Sequence, residues 1–273
     1  MLATFLPGRI SSPFGEISLY REIRAKGGVF LYALTNFDSR VTVDVDFLLR
    51  KEPNTSERVK SILEEIIKVP TGNDFITFEI KTVRTISTTR KYAGINASIV
   101  THIKSTRTPF SIDIGIGDVV IPNTEKRKIP TQLPSFESPT VCTYSLETTV
   151  SEKIDAILSL MEFSSRMKDY YDLFYVASKF DFAGEILTEA LRTTFSTREH
   201  VFTTKQFKEA MNFADDIAMQ KKWKAFVIRT NIKTDDYSII MKTIRIFLEK
   251  PFHAVAENEI FRKHWSAAEG KWI

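Results

Sequence analysis

The sequence predicts a mixed α/β fold, sheet-built in its first half and mainly helical in its second. Three observations predict it. Apolar and polar residues alternate with a period of two in several short runs between residues 41 and 116. An amphipathic helical segment lies among those runs. Beyond a proline-rich stretch, the apolar spacing changes to three and four.

Taken in order, residues 17–34 read as a helix, broken or started anew at Gly27-Gly28. Residues 41–49 read as a strand, because Val41, Val43, Val45, Phe47 and Leu49 alternate with Thr42, Asp44 and Asp46. One face of that strand is apolar and the other carries two acids. Ser56 caps a helix running to Lys68, with Val59, Ile62, Leu63, Ile66 and Ile67 on one face and Val69-Pro70-Thr71-Gly72 ending it. Strands follow at 75–83, 95–103 and 110–116, and the last places Asp113 between Ile112 and Ile114. Pro122, Pro130, Pro134 and Pro139, with the basic run Lys126-Arg127-Lys128, read as a linker. The expected division is an α/β lobe over 1–122, a Pro-rich linker over 123–143 and a helical lobe over 144–273. In that lobe Ser145 caps a helix carrying Leu146, Val150, Ile154, Ile157, Leu158 and Met161. A second helix holds Tyr170, Leu173, Phe174 and Ala177, and others are expected at 182–195, 204–229 and 236–249.

The chain has 273 residues, 43% of them hydrophobic, which is enough to bury a full core in one or two lobes. A net charge of +4, from 38 basic and 34 acidic residues, permits a polyanion without implying one. A lone Cys142 excludes an internal disulfide, and no Cys/His spacing matches a zinc site. No window approaches 18 uncharged apolar residues and no secretory leader is visible. A cytoplasmic protein without a membrane span is expected.

Asp44 and Asp46 are the foremost candidates for chemistry. Two residues along a strand is roughly 7 Å, so both carboxylates can converge on one divalent cation. A solvated sheet face would also carry such a pair, but Asp113 on another strand adds a third oxygen donor. Gly27 and Gly28 can offer backbone N–H groups to phosphates, or simply mark a helix break. There is no G-x-x-x-x-G-K-[ST] run, so a P-loop is not supported. Lys153 falls beside the apolar line of Val150, Ile154 and Ile157, where it either meets an anion or snorkels to the helix edge. Arg166, Asp169 and Asp172 recur at intervals of three along one helix face, as an ion ladder also would. His102, His200, His253 and His264 show no ligand spacing, and Lys221-Lys222-Trp223-Lys224 is a weak hint of RNA.

Together these residues resemble the AbiEii/AbiGii toxin family, nucleotidyltransferase-like proteins of bacterial toxin–antitoxin and abortive-infection systems. The matching segments are Lys26-Gly27-Gly28, Arg40 to Phe47, Ile112 to Asp118, Ser151 to Ala156 and Arg166 to Leu173. The resemblance implies a polymerase-β-like nucleotidyltransferase lobe followed by a helical lobe. It implies that Asp44, Asp46 and Asp113 bind Mg²⁺ (or Mn²⁺), with Asp113 completing the acid set or accepting a proton. It implies that Gly27 and Gly28 hold the phosphates of an NTP substrate, and that Arg40 and Lys153 neutralise charge. Asp169 and Asp172 would shape the nucleotide side of the cleft or orient Lys153. The implied reaction moves an NMP onto an acceptor such as RNA, tRNA included, with release of pyrophosphate and with a possible cognate antitoxin as partner. Val29 stands where many relatives carry a hydroxyl residue, and the stretch before Gly27 is short for the family. Both favour an alternative, a non-catalytic relative acting by binding nucleotide or a protein. A metal-dependent nuclease is a third reading.

Overall fold

The computed structural model describes residues 22–42, 45–53, 55–69, 75–86, 94–123, 125–130, 138 and 140–273. The chain divides into two compact units, one of residues 1–118 with 124–144 and one of 119–123 with 145–273.

The first unit is built on one seven-stranded sheet. Its elements are β1 (Ile23–Lys26), α1 (Gly27–Leu34), β2 (Val45–Leu49), α2 (Ser56–Lys68), β3 (Ile76–Ile86), β4 (Gly94–Ile103), β5 (Thr106–Ile116), β6 (Glu125–Lys128) and β7 (Thr140–Thr143). The strand order is β3-β4-β5-β2-β1-β7-β6. β3, β4 and β5 form an antiparallel meander, β5 runs parallel to β2, β2 antiparallel to β1, and β1 parallel to β7. The sheet is therefore mixed, as the alternation of strands and helices predicts.

The period-two runs explain which face is buried. Val45, Phe47 and Leu49 of β2, Ile95, Ala97 and Ile99 of β4, and Ile112 and Ile114 of β5 join one apolar cluster. Val59, Ile62, Leu63 and Ile66 of α2 complete it at helical spacing. Each of these side chains other than the small Ala97 contributes about 1.5–3 kcal/mol by leaving water. Thr55, one residue earlier than expected, caps α2 by accepting a hydrogen bond from the Arg58 N–H at 3.2 Å.

Three local expectations are corrected. Residues 23–26 form β1 and not a helix, because pairing with β2 and β7 overrides the local preference. Val41 and Thr42 precede the strand, which among the described residues begins at Val45. Within the expected linker, β6 and β7 are strands of the sheet, paired antiparallel from Glu125↔Thr143 to Lys128↔Thr140. Four-residue strands are too short to leave an alternation visible among prolines.

The second unit is mainly helical: α3 (Leu146–Leu160), α4 (Met167–Lys179), α5 (Gly184–Thr197), α6 (Thr204–Met211), α7 (Ile217–Thr230) and α8 (Tyr237–Ala256). α3 packs on α4 and α5, while α8 packs on α4, α5 and α6. Ser145 caps α3 by accepting from the Thr148 N–H at 3.0 Å, and its own hydroxyl donates to the Ile121 carbonyl at 2.5 Å. The single helix expected over 204–229 is broken at Asn212–Asp215, a short 3₁₀ turn, after which Asp216 caps α7 through the Met219 N–H at 2.8 Å. Asn and Asp compete with helical hydrogen bonds and favour such breaks. A three-stranded sheet escaped the sequence reading: β8 (Phe182–Ala183), β9 (His264–Ser266) and β10 (Lys271–Trp272). Trp265 and Trp272 pack against Phe247, and their indole N–H groups donate to the carbonyls of Ala177 and Phe247, each at 2.8 Å.

Candidate active site

The face of the first sheet opposite α2 carries a row of polar side chains, set by strand register. Asp46 of β2 lies beside Asp113 of β5 in the parallel pair, Asn96 of β4 lies beside Asp113, and Lys26 of β1 lies beside Asp46. Directly opposed residues point to the same side, and neighbouring strands are about 4.8 Å apart, so the two carboxylates project side by side. Asn96 Nδ2 donates to Asp113 Oδ1 at 2.7 Å, fixing the orientation of that carboxylate. Asp44, the other half of the acid pair, lies outside the described residues. Among the described residues no group of three His, Cys, Asp or Glu side chains is placed to hold a metal. Asp46 and Asp113 are nevertheless adjacent hard oxygen donors, the type that suits Mg²⁺ or Mn²⁺.

Gly27, directly after β1 and first in α1, lies in the left-handed region, at φ +66°. A Cβ built there would overlap the Asp46 carboxylate, so only glycine lets the turn sit directly on that acid. At Gly28 a Cβ would come within 2.9 Å of Thr42 Oγ1 and 3.0 Å of Arg40 Nη2. Arg40 is buried, its guanidinium drawn in against the glycine turn. The structure thus brings together Gly27 with Asp46, and Gly28 with Arg40, at the start of α1. Val29 faces into the apolar cluster.

In the second unit, Lys153 of α3 meets Asp169 and Asp172 of α4. Its Nζ donates to Asp172 Oδ2 at 2.6 Å and to Asp169 Oδ1 at 3.2 Å, and Arg166 Nε donates to Asp169 Oδ2 at 2.5 Å. All three of Lys153, Asp169 and Asp172 are buried. Burial pushes the Asp169 carboxyl up, but Lys153 and Arg166 outweigh it and hold the group below the usual carboxylate range. The spacing of three along α4 is therefore an internal charge cluster rather than a surface ladder. Tyr170, next to this cluster, is pushed up to about 12, mainly by burial.

Sequence reasoning assigned no role to Lys26, Asn96, Asp118 or Tyr144. Lys26 Nζ donates to Asp118 Oδ2 at 3.1 Å and to the Tyr144 hydroxyl at 3.5 Å, and lies 5.2 Å from the Tyr144 ring centre. Asn96 has a period-two signal between Ile95 and Ala97, but only register reveals that it faces Asp113. Another buried carboxylate, Asp155 on α3, accepts from Arg198 Nη1 at 2.9 Å and contacts His200 Nδ1 at 2.7 Å.

No helix among the described residues is long and apolar enough to cross a membrane. Comparison with known folds finds the crystal structure of JHP933 from Helicobacter pylori, at 16% identity and a TM-score of 0.44, covering 87% of this chain and 89% of that one. A second H. pylori protein, described provisionally as a nucleotidyltransferase, aligns at 14% identity and a TM-score of 0.44 over 84% of this chain and 88% of its own. Curated proteins give no match. The nucleotidyl transferase AbiEii toxin family of type IV toxin–antitoxin systems matches residues 25–258, a span that takes in the glycine turn, the acid row and the Lys153 cluster. The chain belongs to the AbiEii nucleotidyl transferase toxin family.

Proposed function

We propose that the protein transfers a nucleoside monophosphate from an NTP to an acceptor hydroxyl and releases pyrophosphate, with RNA such as tRNA as the acceptor. The observation that carries this reading is the placement of Asp46 and Asp113 side by side on adjacent strands, with the Gly27 turn packed on the Asp46 carboxylate. Membership of a nucleotidyl transferase family supports the same reaction class.

In this reading Asp46 and Asp113, with Asp44, hold Mg²⁺ or Mn²⁺. When bound, the ion neutralises triphosphate charge and favours in-line attack at the α-phosphorus. Gly27 and Gly28 present backbone N–H groups at the start of α1 to the leaving phosphates. Arg40, whose guanidinium lies against Gly28, adds positive charge to the same turn. The acceptor oxygen forms a bond to the α-phosphorus as the bond to the bridging oxygen breaks. The hydroxyl proton passes to Asp113, already held in orientation by Asn96. Within the second unit, Asp169 and Asp172 position the Lys153 ammonium. A cognate antitoxin is the cellular partner that restrains the activity.

The test incubates the protein with each labelled NTP, Mg²⁺ and total RNA. Label should pass to RNA, and Asp46→Asn should lower the rate by about two to three orders of magnitude. Absence of transfer to RNA or protein, together with Asp46→Ala being as toxic in cells as the wild type, would overturn the reading.

A further inference from the structure

We propose that Lys26 is a resident counter-cation of the acid row, one that weakens the binding of a divalent ion by the protein alone and so makes metal retention depend on the anionic charge of the nucleotide. The inference rests on the metal-dependent reading above and assigns a positioning residue within that site.

Four observations place Lys26. It is the last residue of β1, in register opposite Asp46 across the antiparallel pair, so its side chain leaves the sheet on the same face as the acids. Its ammonium reaches across that face until it lies over Gly115, where a Cβ would stand 3.2 Å from Nζ. Gly115 is two residues beyond Asp113 on β5 and shares its face. There the ammonium donates to Asp118 at 3.1 Å and rests on the Tyr144 ring, with the side chain only 15% exposed. Asp118 follows Gly117, which takes a positive φ of 96°, so the ion pair fixes the turn that leaves β5 just beyond Asp113.

A lysine anchored in this way cannot swing freely into solvent when a cation arrives. Its charge remains within reach of the ion that Asp46 and Asp113 would hold. A unit charge on the order of 7 Å from a divalent ion in a solvent-open site changes its affinity by about tenfold. The triphosphate, with several negative charges of its own, reverses the balance when it enters. Glycine at position 115 is part of the same device, because a side chain there would displace the ammonium.

The test is equilibrium binding of Mn²⁺, followed by the loss of the free-ion EPR signal, for wild type, Lys26→Met, Lys26→Gln and Lys26→Arg without nucleotide. Gln keeps a hydrogen-bonding tip for Asp118 and Tyr144 and provides a neutral, folded variant should Met disturb the turn. The expected result is Mn²⁺ affinity raised about tenfold in the neutral variants and unchanged in Lys26→Arg. Wild type binding Mn²⁺ with neutral variants no tighter overturns the inference about Lys26 and leaves the metal site standing. Failure of wild type and neutral variants alike to bind Mn²⁺, with or without NTP, overturns the metal reading and this inference with it.

Discussion

Replacing Lys153 by Met isolates the charge cluster of the second unit, because methionine fills nearly the same volume without the ammonium. In the wild type the ammonium lies 2.6 Å from Asp172 Oδ2 and 3.2 Å from Asp169 Oδ1, with 9% of the lysine side chain exposed and 2% of each aspartate. Asp169 retains Arg166 in the variant, whereas Asp172 loses the lysine contact. Breaking one partner out of a buried ion pair costs about 3–5 kcal/mol. At about 4 °C per kcal/mol for a unit of this size, the melting temperature should fall by about 12–20 °C. All three tryptophans, Trp223, Trp265 and Trp272, belong to this unit, so tryptophan fluorescence during heating reports its unfolding. The pH dependence gives a second readout. In the wild type the lowered Asp169 group contributes stability above the unfolded value of about 3.9, and that contribution disappears as pH falls through its folded value. In the variant Asp169 keeps Arg166 but loses Lys153, so this contribution should be smaller at pH 7, and the difference from wild type that it causes should narrow as pH falls through the unfolded value. A second change, Asp172→Leu, should recover part of the loss. A melting temperature within about 3 °C of wild type at pH 7 would show that the buried ion cluster does not carry this energy.

Gly27→Ala should cost about 1–2 kcal/mol from the left-handed backbone alone. It should also weaken Mn²⁺ binding because its methyl displaces the Asp46 carboxylate; calorimetry and metal titration check both effects. Gly28→Ala meets Thr42 and the flexible end of Arg40 at 2.9–3.1 Å, a milder overlap than at Gly27, so its loss of metal affinity should be smaller. Tyr170, pushed up to about 12, should stay protonated while exposed tyrosines ionise. Because its folded value exceeds the unfolded value of about 10, its contribution to stability is complete below pH 10 and disappears as pH rises toward 12. Ultraviolet titration should therefore show a late phenolate phase that is absent in Tyr170→Phe. Ser145→Ala should destabilise the second unit by about 1 kcal/mol, read by urea unfolding, since the hydroxyl both caps α3 and bonds the Ile121 carbonyl.

What could be read from the sequence were features whose signal is local. Period-two alternation placed Asp46 and Asp113 on polar strand faces, and the spacing of Val59, Ile62, Leu63 and Ile66 gave α2 its buried side. Order within the sheet is not local. That Asp46 and Asp113 are neighbours follows from β2 pairing with β5 across α2 and two intervening strands, which no short segment encodes. The same reason hid Lys26 and Asn96, whose importance lies in which residue faces them across a strand pair. Ile23-Arg24-Ala25-Lys26 has a composition that suits a helix as well as a strand, and pairing on both sides decides the matter. In the second unit, Asp169 and Asp172 have the spacing of a surface ladder, and burial against Lys153 shows only in the packed helices. The break between α6 and α7 was in principle readable from Asn212, Asp215 and Asp216, but apolar residues on both sides carried the helical period across it.

The acid row beside the Gly27 turn is proposed as the place where metal and nucleotide bind. The most direct test is a crystal grown with a non-hydrolysable NTP analogue and Mn²⁺, using anomalous scattering to locate the ion. An anomalous peak is expected at coordinating distance from Asp46 and Asp113, with the analogue's phosphates against the Gly27-Gly28 turn. An ion and nucleotide bound elsewhere on the protein, with those two carboxylates untouched, would contradict it.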